Sequence, residues 1–370
     1  MDNIREFTEL LKGCRPHKDD NGNIIVQKIM NMSIVTLTTD DEYSLDDRFE
    51  NPMKVINASN SNYGEITLKN NSNKETITPT QFAVITKQSA QNHGMVKAGY
   101  ISSNSSVRFD DAGCVQGSTT GHFRGSQEFR LMPVTMREML FQKVGNTSGY
   151  QNIYPAIRQL GQDTNSSTGE YLDKYFNKYD KKLEQFIAHF ERPEKLIGTI
   201  VMIDDEIVAI DKFPSFSYAE QVWDLLIRDC YGALAIISEL KGKKGTKLFS
   251  EIYQSLNTNF ADIEESTIDR ICRALEKTKD RMTKTVEEKI ENLLDLSFNL
   301  EIDSIGNPSH ISNSPKSYLL QHEGYLGQLI TENNYHHMVS LVKKDSFDPK
   351  ALRDINELRK KARNQDKFKL

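Results

Sequence analysis

The sequence is short of the features that mark several common protein classes. Only four cysteines occur in 370 residues, Cys14, Cys114, Cys230 and Cys272, and no two are close enough to form a Cys-x-x-Cys pair. That spacing excludes a zinc ribbon or a disulfide framework, and neither a metal nor another cofactor is expected. No apolar run approaches the roughly 20 residues of a membrane-spanning helix. The longest, Leu196–Ile203, is interrupted by Gly198 and Thr199. The opening segment mixes Asp2, Arg5 and Glu6 with apolar residues and lacks a hydrophobic signal core, so a cytoplasmic location is expected. A large charge of one sign is also missing. Lys and Arg number 47 against 52 Asp and Glu, a net charge of −5, which is not the balance of a globally basic nucleic-acid binder. The apolar share is 37%. That falls below the roughly 45–50% of an average domain, but aromatics still supply core-forming area.

What is present changes character along the chain. The first half carries β-branched runs at Ile24–Ile29, Met32–Leu37, Tyr63–Lys69, Thr76–Lys87, Met95–Ile101 and Ser105–Phe109, separated by Asn, Ser and Gly. Eleven of the first 73 residues are Asn, which tolerates left-handed backbone and closes its own turns. From about Pro133 the apolar period becomes helical. Leu172, Tyr175, Phe176, Tyr179, Leu183, Phe186, Ile187 and Phe190 form one stripe, with Ser167 and Glu170 spaced as a capping box before it. Ile197–Ile203 and Glu206–Ile210 flank Asp204-Asp205 as a hairpin would. A second helix follows, with Ser217 and Glu220 as its expected cap and Trp223, Leu226, Ile227, Cys230, Leu234 and Ile237 as its buried stripe.

Beyond Glu239 the sequence is more charged. Lys241–Lys247 reads as a polar junction. A long helix carries Ile268, Ile271, Leu275, Met282, Val286, Ile290 and Leu293, and another helical piece is expected over Tyr335–Val342. Residues 343–370 hold ten Lys/Arg and five Asp/Glu, a net of +5, so the rest of the chain sums to −10. The expected fold class is α+β: a sandwich-like or curled N-terminal sheet with packed helices over 1–240, and a charged helical extension over 241–370.

Two segments resemble the ADP-ribosylglycohydrolase-and-rhodanese-phosphatase-associated protein domain family. The first comprises Ile66–Ile77, then Ser89–His93 and Gly113–Gln116. The second is the hairpin and helix of Ile197–Leu234. Carried over by position, Gln91 and Asn92 match the family's Gln-Asn step, with His93 in place of Arg. Cys114 and Val115 match its Cys-Val, with Gln116 in place of Glu, and His122-Phe123 stand where the family has Arg-Trp. The family's preceding Gly-Glu-Glu acids have no counterpart near Val84-Ile85. The resemblance implies NAD-related metabolism or prokaryotic defence, with nucleotide or ADP-ribose as the ligand class.

A glutamine cannot titrate, so replacing the acids removes a general base or a metal ligand. The candidate ligand-binding residues are therefore Gln91, Asn92, His93, Cys114, Gln116 and His122, and no catalytic residue is assigned. The loop Cys114–His122 is rich in Gly, Ser and Thr but lacks the Gly-Lys-Ser/Thr of a P-loop. Against the ligand-loop reading stand a polar turn at Gln91–Gly94 and a buried free thiol at Cys114. Asp204, Asp205, Glu206 and Asp211 read as a solvated acidic turn, and His336-His337 as adjacent residues unable to share a metal. The expected function is a non-catalytic binding or self-assembling protein whose partner is a second copy or another protein. The alternative is a nucleotide- or ADP-ribose-handling enzyme. Interleaved acids and absent aromatics in the basic C-terminal segment argue against nucleic acid.

Overall fold

Two of the first half's β-branched runs, Ile24–Ile29 and Met32–Leu37, join strands of the second half in one large sheet, and the others form three smaller sheets. A computed structural model describes residues 4–29, 31–40, 48–60, 64–86, 92–110, 112–117, 123, 126–143, 153–240, 286–302, 315–332 and 335–344. The strands are β1 (Ile4–Glu6), β2 (Arg15–Pro16), β3 (Val26–Ile29), β4 (Met32–Thr38), β5 (Ile56–Ser59), β6 (Ile66–Asn70), β7 (Thr76–Thr78), β8 (Phe82–Thr86), β9 (His93–Met95), β10 (Gly99–Ile101), β11 (Ser106–Phe109), β12 (Ala112–Cys114) and β13 (Gln127–Leu131). After them come β14 (Leu196–Ile203), β15 (Glu206–Lys212), β16 (Ser297–Ile302), β17 (Lys316–Gln321), β18 (Tyr325–Glu332) and β19 (Tyr335–Lys343). The helices are α1 (Phe7–Leu10), α2 (Pro52–Val55), α3 (Arg137–Lys143), α4 (Tyr154–Asp163), α5 (Leu172–Ile187), α6 (Phe216–Leu225), α7 (Gly232–Leu240) and α8 (286–294). A six-residue π-helix, Leu226–Tyr231, joins α6 to α7. The class is α+β, as expected.

The ten-stranded sheet runs β1-β16-β17-β18-β19-β15-β14-β4-β2, with β3 also on β4, and every pairing is antiparallel. Adjacent residues of a strand point to opposite faces. Ile34, Val201, Val208 and Met338 pack on one face against Trp223, Leu226, Phe186 and Phe190. Val35, Ile200, Ile207 and Val339 pack on the other against Phe7, Leu10, Val286 and Leu293. The sheet is therefore the middle of three layers, with α5, α6 and the π-helix on one side and α1 and α8 on the other. The shorter sheets β11-β6-β5, β12-β9-β8-β13 and β10-β7 carry Ile66, Leu68, Phe82, Met95, Ile101 and Phe109 in their own core.

The Asp204-Asp205 hairpin forms as expected. Both residues have positive φ (50° and 65°), the left-handed pair that a tight hairpin of the right twist requires. The expected caps are displaced. Ser215 Oγ accepts from Tyr218 N at 3.2 Å and begins α6, two residues before Ser217. Ser167 sits at φ 50° and caps nothing, and α5 starts at Leu172. The segment Tyr335–Val342 lies within strand β19, not a helix. It is paired to β15 and β18 and buried on both faces, so no alternation marks it. Among the described residues beyond 240, one helix and four strands are found, and all four strands belong to the large sheet. No helix among the described residues is long and apolar enough to cross a membrane.

Candidate functional site

Two short antiparallel strands bring part of the sequence-nominated set together. In the β9–β12 register, Cys114 lies opposite His93 and Gly113 opposite Gly94. Directly opposed side chains share a face. Cys114 Sγ stands 3.8 Å from His93 Nε2, and the Phe123 ring meets the imidazole edge-on with centroids 5.0 Å apart. The opposite face admits no side chain at the two glycines. A Cβ on Gly113 would lie 2.4 Å from Ile153 Cδ1, and one on Gly94 would lie 2.8 Å from Met132. The glycines set the depth at which the Cys–His pair sits.

His93 and Cys114 are both fully buried. Burial pushes the Cys114 thiol up to about 12, partly opposed by hydrogen bonds to the Gly64 backbone and Tyr154. A catalytic cysteine needs the thiolate and an open approach, and Cys114 has neither. Asn92 is also buried. Its Oδ1 accepts from Thr86 N (2.7 Å) and Thr86 Oγ1 (3.0 Å), and its carbonyl accepts from Val115 N (3.0 Å). It clamps the ends of β8 and β12. Gln116 bridges to Tyr171, while Tyr154 Oη donates to its carbonyl at 3.5 Å. The buried Gln116 Oε1 has no hydrogen-bond partner among the described residues. Leu172 N donates to Val115 O and Gly117 N to Glu170 O, both at 2.9 Å, so the exit of β12 is stitched to the start of α5. Gln91 and His122 lie outside the described residues.

A second polar centre was not anticipated. Asp211 was expected in a solvated turn, but it is buried in β15, facing the helical layer. Arg137 Nη1 donates to both of its oxygens (2.9 and 3.0 Å), Tyr231 Oη to Oδ2 (2.5 Å) and Ser340 Oγ to Oδ1 (2.6 Å). Arg137 Nε also reaches Gln81 Oε1 at 3.0 Å, and Thr80 Oγ1 donates to Ser340 Oγ at 2.9 Å. The network thus joins the small sheets, the large sheet and the π-helix. Burial opposes the charge of Arg137, but the Asp211 carboxylate outweighs it and holds the guanidinium protonated. The available clue was a lone Arg inside the apolar run Val134–Phe141 and a lone Asp inside Ile207–Phe213. Each needs a buried partner of opposite charge.

One π-helix step away, Asp229 is fully buried between Arg130 Nε (3.0 Å) and Arg228 Nε (2.7 Å). Burial raises its carboxyl despite both cations. The remaining hairpin acids lie nearer the surface: Asp204 accepts from Asn31 Nδ2 at 3.0 Å, Asp205 pairs with Lys28 at 3.5 Å, and Glu206 takes Lys289 at 2.7 Å and Lys343 at 2.9 Å. Among the described residues no group of three or more His, Cys, Asp or Glu could hold a metal ion.

Fold and site together define an antiparallel α+β protein with a sealed Cys–His pair and a charged internal junction. A family model for the ARG and Rhodanese-Phosphatase-superfamily-associated Protein domain matches residues 24–296, and the chain belongs to that family. No curated protein and no solved structure matches the chain.

Proposed function

We propose that this chain is a non-catalytic binding or assembly protein built on the family scaffold. The observation that carries this reading is the state of Cys114. It is the one thiol in the candidate set, yet it is buried with its thiol held near 12. Asn92 and His93, beside it, are equally enclosed. The acids that could have supplied a base at this place are absent from the sequence, and Gln116 stands where one would be. The test pairs light scattering with product analysis. A solution mass above the 42.3 kDa of one chain, with no turnover of NAD or ADP-ribose, is expected. A monomer at working concentration sinks the assembly form, and turnover sinks the non-catalytic one.

One observation favours a second reading, a nucleotide- or ADP-ribose-binding role. Asn92, His93, Cys114 and Gln116 lie at or beside neighbouring strand ends, and the buried Gln116 Oε1 has no hydrogen-bond partner among the described residues. Calorimetric titration with each ligand decides it: absence of heat removes this reading.

A further inference from the structure

The outer faces of α5 and α8 carry opposite charge on opposite sides of the large sheet. On α5, Lys174, Lys178 and Lys181 are exposed at i, i+4 and i+7, in one line down the helix. The acids of α5 do not neutralise that line. Asp180 is taken by Arg130 at 2.6 Å and Glu184 by Arg228 at 2.6 Å. Like charges one turn apart repel, so the isolated helix is disfavoured by this arrangement. On α8 and the turn after it, Glu288, Glu291 and Asp295 are exposed at i, i+3 and i+7, again in one line. Among the described residues of that helix the one lysine, Lys289, is committed to Glu206. Leu294, 45% exposed, stands beside the acidic line and is among the few large apolar side chains left in solvent.

We infer that the acidic face of α8 docks on the basic face of α5 of a second copy. This rests on the assembly reading above and names its surfaces. The two faces match in sign, helical form and spacing, and each relieves the repulsion within the other. Geometry also fixes the kind of assembly. Phe186, at the C-terminal end of α5, clusters with Val201 and Val208, whereas Val286 and Leu293 of α8 cluster with Ile200 and Ile207, so the sheet separates the two docking faces. A two-fold dimer would need both faces to meet the partner at once. Faces on opposite sides join head to tail instead, giving a ring or an open chain.

The test is sedimentation of the full chain across concentration at about 50 mM and about 500 mM salt, which shortens the screening length to a few ångströms. Oligomers at low salt that dissociate at high salt are expected. The variants K174Q/K178Q/K181Q and E288Q/E291Q/D295N, with unchanged circular dichroism, are each expected to be monomeric. Mixed together, they are expected to form a dimer and nothing larger, because each retains one working face. An oligomer that persists in both variants overturns these surfaces while leaving assembly itself intact. A wild-type chain that is monomeric at low salt overturns both.

Discussion

The two buried polar centres differ in chemistry and in how they are held. At His93 and Cys114 burial holds the thiol protonated, the thiol–imidazole contact is long, and apolar side chains and glycines do most of the positioning. At Arg137 and Asp211 an ion pair is buried, three side chains donate to one carboxylate, and three layers of the fold meet there. A protonated thiol is cheap to bury and cheap to lose. A buried ion pair is costly to desolvate and costlier to break, because the survivor is left charged and alone. The motif-bearing pair is thus the replaceable one, and the unheralded pair is the one that fold integrity depends on.

The largest break in this contrast comes from Arg137→Met. It strands Asp211 and is expected to cost about 3–5 kcal/mol in urea unfolding. Adding Asp211→Leu removes the orphan charge and is expected to restore at least half of that loss. A single variant within about 1 kcal/mol of wild type would show that the ion pair is dispensable. Next is Gly113→Ala, which drives a methyl into Ile153 and is expected to cost about 1–3 kcal/mol. Trimming Ile153 to Val should recover part of it, whereas no recovery would mean that backbone freedom, not space, is what the glycine provides.

Histidine tests the contrast through pH. Burial lowers His337 to about 3, with Arg48 adding to the effect, although Glu332 Oε2 stands 3.5 Å from its Nε2. Its folded value lies below its unfolded one, so the unfolded chain takes up a proton first. Stability should therefore fall as pH drops below 6.5 toward 3, by up to about 1.4 kcal/mol per pH unit from this residue. His337→Leu should flatten the slope between pH 6.5 and 5, and an unchanged slope would assign it elsewhere. The smallest effect is expected from Cys114→Ala, about 1 kcal/mol. In the native protein, iodoacetamide should label half-buried Cys14 well before Cys114 or Cys230, as read by peptide mass spectrometry. Rapid native labelling of Cys114 would contradict its enclosure.

Much of the fold was legible where one face of an element is dry and the other wet. The stripe of α5 has that character and the helix formed, whereas the two runs around Asp204-Asp205 are buried on both faces and were legible from the acidic turn between them. Tyr335–Val342 lacks that character, because β19 lies between β15 and β18 with both faces covered. Its apolar positions fit a helix as well as a strand. The cap at Ser167 failed for a local reason: Thr168 Oγ1 donates to Ile157 O and Glu170 turns to Arg158. For the site, residue order was enough to associate His93 with Cys114, and the strand register places them face to face. A buried thiol at Cys114 was one of two readings left open, because enclosure depends on Ile153, Met132 and Phe123 arriving from other segments. Asp211 was misread because a charged residue at a strand end looks solvated until its partner 74 positions away is known.

The order of strands in the large sheet has a consequence for biosynthesis. β15 finds its neighbour β19 only after about 130 further residues have been made, and β1 waits for β16 across nearly 300. The small sheets between β5 and β13 pair within one contiguous stretch and can form while the ribosome is still at work. Until β16–β19 emerge, the apolar edge of β15 stands open, so a nascent chain of this protein is a natural client for chaperones.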